Sequence, residues 1–115
     1  MTAADASELL AVFTTVATRE QADALARGAV AQRLAACVQV EPIHSTYRWQ
    51  GEVVHEPELR LVFKTNQANY PSLEAWLLAS HPYDVPAVFA LPVAAASSGY
   101  AAWLAASMNH PTDAA

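Results

Sequence analysis

CVQVEPIHSTYRWQGEVVHEPELRLVFKT, from Cys37 to Thr65, decides the architecture of this 115-residue chain. Gln50-Gly51 stands between two arms of nearly equal length, and glycine tolerates the positive φ that a tight turn demands. In the second arm Leu59, Leu61 and Phe63 alternate with Arg60, Val62 and Lys64, the period of a strand. The stretch reads as one long β-hairpin. Pro42 and Pro57 cannot donate to a ladder, so each should mark a bulge or an unpaired edge. About 14 residues per arm at ~3.3 Å each span ~45 Å. A compact domain of this size is only ~35 Å across. The hairpin should therefore overhang the body, unless bends at the two prolines shorten it. Tyr47, Trp49, Val53 and Val54 lie on that overhang and need cover, and the arms offer open ladder edges. A closed homo-oligomer is the expected remedy.

Outward from the hairpin, the rest of the chain falls into short elements. Glu8 to Val16 is apolar and β-branched, a strand expected to be covered on both faces. Thr18-Arg19-Glu20-Gln21 has the spacing of a capping box. Behind it Ala22, Leu25, Ala26, Ala29, Val30 and Leu34 recur at helical spacing, which predicts an amphipathic helix to about Ala36. Pro71 fits the first turn of a second helix from near Asn69 to Ser80, with Leu73, Trp76 and Leu77 inward. Val85 to Val93 reads as a strand, and Ser97 or Ser98 can cap a short last helix. Residues 108–115 form a polar tail expected to fray, leaving 1–107 as a single domain. The order β-α-β-β-α-β plus a terminal helix is the α+β, ferredoxin-like pattern.

Composition excludes several partners. The formal net charge is -5 with only six Lys and Arg, which argues against a nucleic-acid groove or an anionic membrane surface. No tract approaches the ~18 apolar residues of a membrane span, and acidic Asp5 and Glu8, with no Lys or Arg before Arg19, argue against a signal peptide. One cysteine cannot form an intramolecular disulfide, so a reducing cytoplasm is the expected location. Three glycines, without a G-x-G-x-x-G or phosphate loop, and no Ser/His/Asp order leave catalysis the least favoured class. An organic cofactor is not expected.

Set in order, the motifs resemble those of the CutA family, the divalent-cation tolerance proteins. They are Leu34-Ala35-Ala36-Cys37-Val38, the Ser45-x-Tyr47-x-Trp49-x-Gly51 spacing, Glu58, Lys64-Thr65, His81-Pro82-Tyr83 with Pro86, and Tyr100-x-x-Trp103. The resemblance runs from roughly Leu9 to Ser107. It implies a homotrimer whose long hairpins exchange edges between subunits, and a role in tolerance of, or response to, divalent metals, copper especially. Two positions depart from the family pattern. Ala87 stands where members commonly carry Glu, and Ala96 where they tend to have Gly.

The candidate chemistry is sparse. His81, in His81-Pro82-Tyr83-Asp84, is the best metal candidate, because imidazole suits Cu(II) or another divalent cation and Asp84 can orient the ring. A structural reading competes with it, in which Pro82 ends the helix, His81 caps it and Tyr83 packs. Cys37 is a second metal candidate, or a small buried hydrophobe. His44, His55 and His110 lack ligand spacing and read as surface residues. Glu52, Glu56 and Glu58 share one strand face, a row that is usually solvated. Tyr47, Trp49, Glu58, Lys64, Tyr83, Tyr100 and Trp103 are the candidates for an intersubunit cleft, with the competing reading that the aromatics anchor core or interface. Two alternatives to metal tolerance stay open: a PII-like small-molecule sensor using that cleft, and a non-catalytic scaffold for protein partners.

Overall fold

The computed structural model describes residues 8–109. His110 and most of the expected tail lie outside the described residues. Seven elements follow one another: β1 (Leu9–Val16), α1 (Arg19–Ala31), β2 (Cys37–Trp49), β3 (Glu52–Asn66), α2 (Tyr70–Ser80), β4 (Phe89–Pro92) and α3 (Ser98–Met108). The strands form one antiparallel sheet in the order β2-β3-β1-β4. The expected α+β, ferredoxin-like arrangement with an elongated hairpin and a terminal helix is what the chain adopts.

The hairpin keeps a single register from Cys37↔Lys64 to Trp49↔Glu52. Gln50 (φ 50°) and Gly51 (φ 82°) both turn through the left-handed region, as a two-residue turn matched to strand twist requires. Neither proline makes a bulge. Pro42 pairs with Leu59 and Pro57 with His44, so the two stand at equivalent positions of the ladder. At such positions the main-chain N and O can point away from the partner strand. Pro42 then faces the free edge of β2. Pro57 faces the side where β1 has already ended, since the last β1 pairing is Val16↔Leu59. The expected unpaired edges are present and the bulges are not.

Period-two burial on β1 and β3 makes the core. Leu10, Val12 and Val16 of β1 and Leu61 and Phe63 of β3 are buried against Ala22, Leu25 and Ala29 of α1 and Leu73 and Leu77 of α2. Gly28 lets the helices approach: a Cβ there would lie 2.6 Å from the Trp76 ring. The other sheet face is barer than the strand pattern of β1 suggested. Leu9, Ala11, Phe13 and Thr15 are only half-buried, and Phe13 stacks on exposed Phe89 with ring centroids 5.2 Å apart.

The capping box forms as read: Gln21 N–H donates to Thr18 Oγ1 (3.1 Å), and Thr18 N–H donates to Gln21 Oε1 (3.2 Å). Two elements are shorter than the sequence suggests. α1 stops at Ala31 rather than Ala36, because Arg33 takes φ 59°. Its N–H then reaches Val30 O (3.0 Å) and Leu34 N–H reaches Ala29 O (2.9 Å), a Schellman closure. Arginine in place of the usual glycine hides that stop, and Arg33 Nη1 also ties down Ser107 O and Asn109 O. β4 covers only Phe89–Pro92 rather than Val85 to Val93, for a reason found at the site below. The overhang is real. β3 residues 52–58 run past the end of β1, and the molecule measures 51 × 34 × 23 Å. No helix among the described residues is long and apolar enough to cross a membrane.

Candidate functional site

The segment between α2 and β4, residues 81–88, carries the His81 turn across the end of β1. β4 pairs with β1 only from Phe13↔Phe89 to Leu10↔Pro92. Beyond Phe13 the carbonyl of Thr15 is met not by a strand but by imidazole: His81 Nε2 lies 2.9 Å from Thr15 O and 3.0 Å from Thr14 Oγ1. Two prolines, Pro82 and Pro86, make a ladder here harder still. This is why the expected strand from Val85 is cut short.

Hydrogen bonding fixes the state of the ring. A carbonyl can only accept, so Nε2 carries the proton and donates to Thr15 O. Tyr83 N–H donates to Nδ1 at 3.1 Å, so Nδ1 is the acceptor. His81 is therefore a neutral imidazole with both nitrogens engaged inside the protein. Burial pushes its pKa below the ordinary histidine value, against the opposing influence of the Thr15 bond and the Glu58 charge. The structural reading of this turn is present in full: His81 N–H caps Leu77 O (2.9 Å) and the ring packs against Tyr83.

Tyr83, so held, reaches the root of the overhanging hairpin. Its hydroxyl donates to Glu58 Oε2 at 2.7 Å. One step further out Tyr47 donates to Glu56, a diagonal partner, since Tyr47 faces Val54 and Ser45 faces Glu56. Both phenols resist ionisation. Hydrogen bonding to Glu56 pushes Tyr47 up to about 12. Burial first, then the bond to Glu58, raises Tyr83 as well. Together these pairs line a cavity of about 590 Å³ with Thr15, Ser45, Thr46, Trp49, Asp84, Val85 and Ala87.

Of the expected cleft residues, Tyr47, Trp49, Glu58 and Tyr83 meet at this cavity. Lys64, Tyr100 and Trp103 do not line it. Lys64 bonds Gln39 Oε1 at 3.0 Å, and it sits six residues, ~20 Å, along β3 from Glu58. Tyr100 stacks on Trp103 within α3, with centroids 5.8 Å apart. Cys37 is half-buried near Tyr100, whose pKa is raised chiefly by burial. Cys37 pairs with Lys64, whereas His81 docks at Thr14 and Thr15, which face Leu61 and Arg60. Three or four strand steps, ~10 Å or more, separate the two metal candidates. Among the described residues no group of three or more His, Cys, Asp or Glu stands together as a metal cluster. Glu56 and Asp84 join the cavity although the sequence assigned Glu56 to a solvated row and Asp84 to the histidine; once the turn is known, the diagonal Tyr47–Glu56 pairing follows from the register. Ala87, one of the two positions that depart from the expected pattern, lies on the cavity wall.

Residues 10–107 match the family model described as CutA1 divalent ion tolerance protein. The chain belongs to this family. The divalent-cation tolerance protein CutA of Thermus thermophilus is 46% identical over 94 residues, covering 81% of this chain and 91% of that protein. The chloroplastic CutA of Arabidopsis thaliana is 42% identical over 83% of this chain, which spans 53% of that protein's length. Among solved structures, CutA from Synechococcus elongatus matches with a TM-score of 0.87 at 41% identity, over 90% of this chain and 92% of that one. A second structure of that protein, complexed with a Bis-Tris molecule, matches with a TM-score of 0.82 at 40% identity, covering 87% and 93%. Family membership links the chain to divalent-cation tolerance.

Proposed function

We propose that this protein serves divalent-cation tolerance, copper among the cations, as a cytoplasmic homotrimer. The observation that carries the assembly is the uncovered overhang. Val53 is 56% exposed and Trp49 42% exposed at the tip, where the outer edge of β2 is unpaired, and Phe89 and Leu91 are exposed further along the sheet. Apolar surface on an open ladder edge is what a second copy of the same chain covers. Light scattering on the purified protein tests it. Three times the chain mass is expected, falling towards a single chain in a Val53→Asp, Trp49→Asp double variant; a wild-type monomer would overturn it.

Metal contact on this reading is weak. A lone thiol at Cys37 and an imidazole with both nitrogens occupied make poor sites. In a calorimetric Cu(II) titration of chelator-stripped protein, a shallow isotherm diminished by Cys37→Ser or His81→Ala is the expected result. A tight site indifferent to both changes would refute the assignment.

The cavity favours a second reading, a sensor of small molecules. At about 590 Å³ it falls in the range of small-molecule pockets. The related Synechococcus elongatus protein has been solved with a Bis-Tris molecule, so a member of this family can hold an organic compound. Thermal shift against small organic compounds separates the readings: stabilisation lost in Tyr83→Phe, with the oligomeric mass unchanged, marks the cavity as a ligand site.

A further inference from the structure

We propose that the cavity at the hairpin root takes an organic ammonium, a cation with a carbon body rather than a bare metal ion. The inference rests on the sensor reading and names its ligand class.

Size argues first. A space of about 590 Å³ is far larger than a single ion and suits a small organic molecule. Charge argues next. Glu56, Glu58 and Asp84 line the cavity, and no Lys, Arg or His is among its lining residues. The charged groups of the lining are all carboxylates, so a carboxylate or phosphate ligand would be repelled by them despite the Ser45 and Thr46 hydroxyls.

Glu58 is the informative member, because it is only 7% exposed. A carboxylate so nearly buried is costly unless partnered. Its partner inside the chain is one phenol, bonded to Oε2. Glu56 is arranged in the same way, with Tyr47 donating to Oε1. In each case the phenol occupies one carboxylate oxygen and leaves the other able to accept. Each phenol's proton is committed to its carboxylate, so the pairs present acceptors to a ligand. N–H groups of an ammonium are the matching donors.

The walls complete the match. Trp49 and the two tyrosine rings offer aromatic faces, which attract cations, and Val85 and Ala87 add apolar surface for a carbon body. Soft nitrogen and sulfur donors of the kind copper prefers are missing from this lining, since His81 turns both nitrogens to Thr15 and Tyr83.

Three probes of one shape and different charge test the class: benzylammonium, benzyl alcohol and benzoate, each titrated calorimetrically at neutral pH into the intact oligomer. Benzylammonium should bind once per subunit, about tenfold or more tighter than the other two, the difference a charge-assisted hydrogen bond supplies. Glu58→Gln should remove most of that preference, bringing benzylammonium towards the affinity of benzyl alcohol for the same variant. Glu56→Gln, at a half-exposed position, repeats the test should the buried substitution disturb folding, which circular dichroism and mass will show. If benzyl alcohol or benzoate binds as well as benzylammonium, the cavity is a ligand site and the ammonium class is wrong. If none binds while the oligomer stays whole, a neighbouring copy fills the space, and the sensor reading falls with the proposal.

Discussion

The root and the overhang of the β2–β3 hairpin are the same two strands in the same register, yet they are in opposite conditions. At the root Leu61, Phe63 and Thr65 are fully buried under α1, α2 and the loop that follows α1. Eight residues before Leu61 on the same strand, Val53 stands in solvent. Ladder hydrogen bonds run through both regions and cannot be the difference. What differs is the second layer: helices cover the root, and nothing among the described residues of one chain covers the tip. Backbone pairing thus sets the shape of this hairpin, while burial sets which part of it a single chain can stabilise.

The comparison breaks most clearly at two apolar residues. Phe63→Ala removes a buried ring from the root and is expected to destabilise the fold by about 3–5 kcal/mol. Val53→Ala at the tip should stay within about 0.5 kcal/mol for folding of the single chain. Urea denaturation at matched, low protein concentration makes the measurement, since oligomers gain stability by mass action. Equal effects would show that the tip is as well covered as the root.

Between the two regions sits His81, which closes the β1 edge where β4 stops. His81→Ala strands the Thr15 carbonyl and the Tyr83 N–H and should cost about 1–3 kcal/mol. A pH series carries more information. The folded state holds this ring neutral, with its pKa below the ordinary value, so the unfolded chain binds the extra proton first. Its contribution is fully present above ~6.5, the unfolded value. It declines as pH falls below that, until the folded-state pKa is passed. His81→Gln should flatten that slope relative to wild type. An unchanged slope would mean that other groups carry the acid sensitivity.

How far this was legible in the sequence depends on how local each signal is. The hairpin turn, the capping box of Thr18 and Gln21, and the helix start at Pro71 are set by neighbours a few residues apart, and they appear as read. α1 ends early through Arg33, a residue type that gives no warning of a left-handed φ. β4 is short because a histidine from one segment reaches a carbonyl of another, 66 positions away in the chain. The cavity is half visible in the sequence for the same reason. Tyr47, Trp49 and Glu58 share a strand face and could be grouped from the period of two. Lys64, Tyr100 and Trp103, expected with them at a cleft between subunits, lie away from this cavity in the fold of one chain.

Glycines sharpen the comparison at smaller scale. Gly51 at the tip holds φ 82° in open space, so Gly51→Ala meets no clash and tests backbone conformation alone. A loss of about 1 kcal/mol is expected from the left-handed penalty. Gly99 also has open space but lies in α3, where Gly99→Ala should gain about 0.5–1 kcal/mol. Thermal melts of the two variants should move in opposite directions. If Gly51→Ala proves neutral, the turn does not organise the overhang.

The subtlest test leaves stability at neutral pH untouched and asks whether the exposed Tyr47–Glu56 pair exists without a covering layer. An exposed hydrogen bond to a carboxylate is ordinarily weak, since water competes for both partners. Here the bond to Glu56 holds the Tyr47 phenol at about 12. An acid whose folded pKa is raised lends its stability below the unfolded value, ~10 for tyrosine, and loses it as pH rises beyond. Spectrophotometric titration of the phenols in wild type and Glu56→Gln reads this directly. The substitution should bring Tyr47 back towards its ordinary value and move Tyr83, raised first by burial and its bond to Glu58 and only lastly by the Glu56 charge, much less. Should no tyrosine move, the pair on the overhang is solvated and only the root half of the cavity is preorganised.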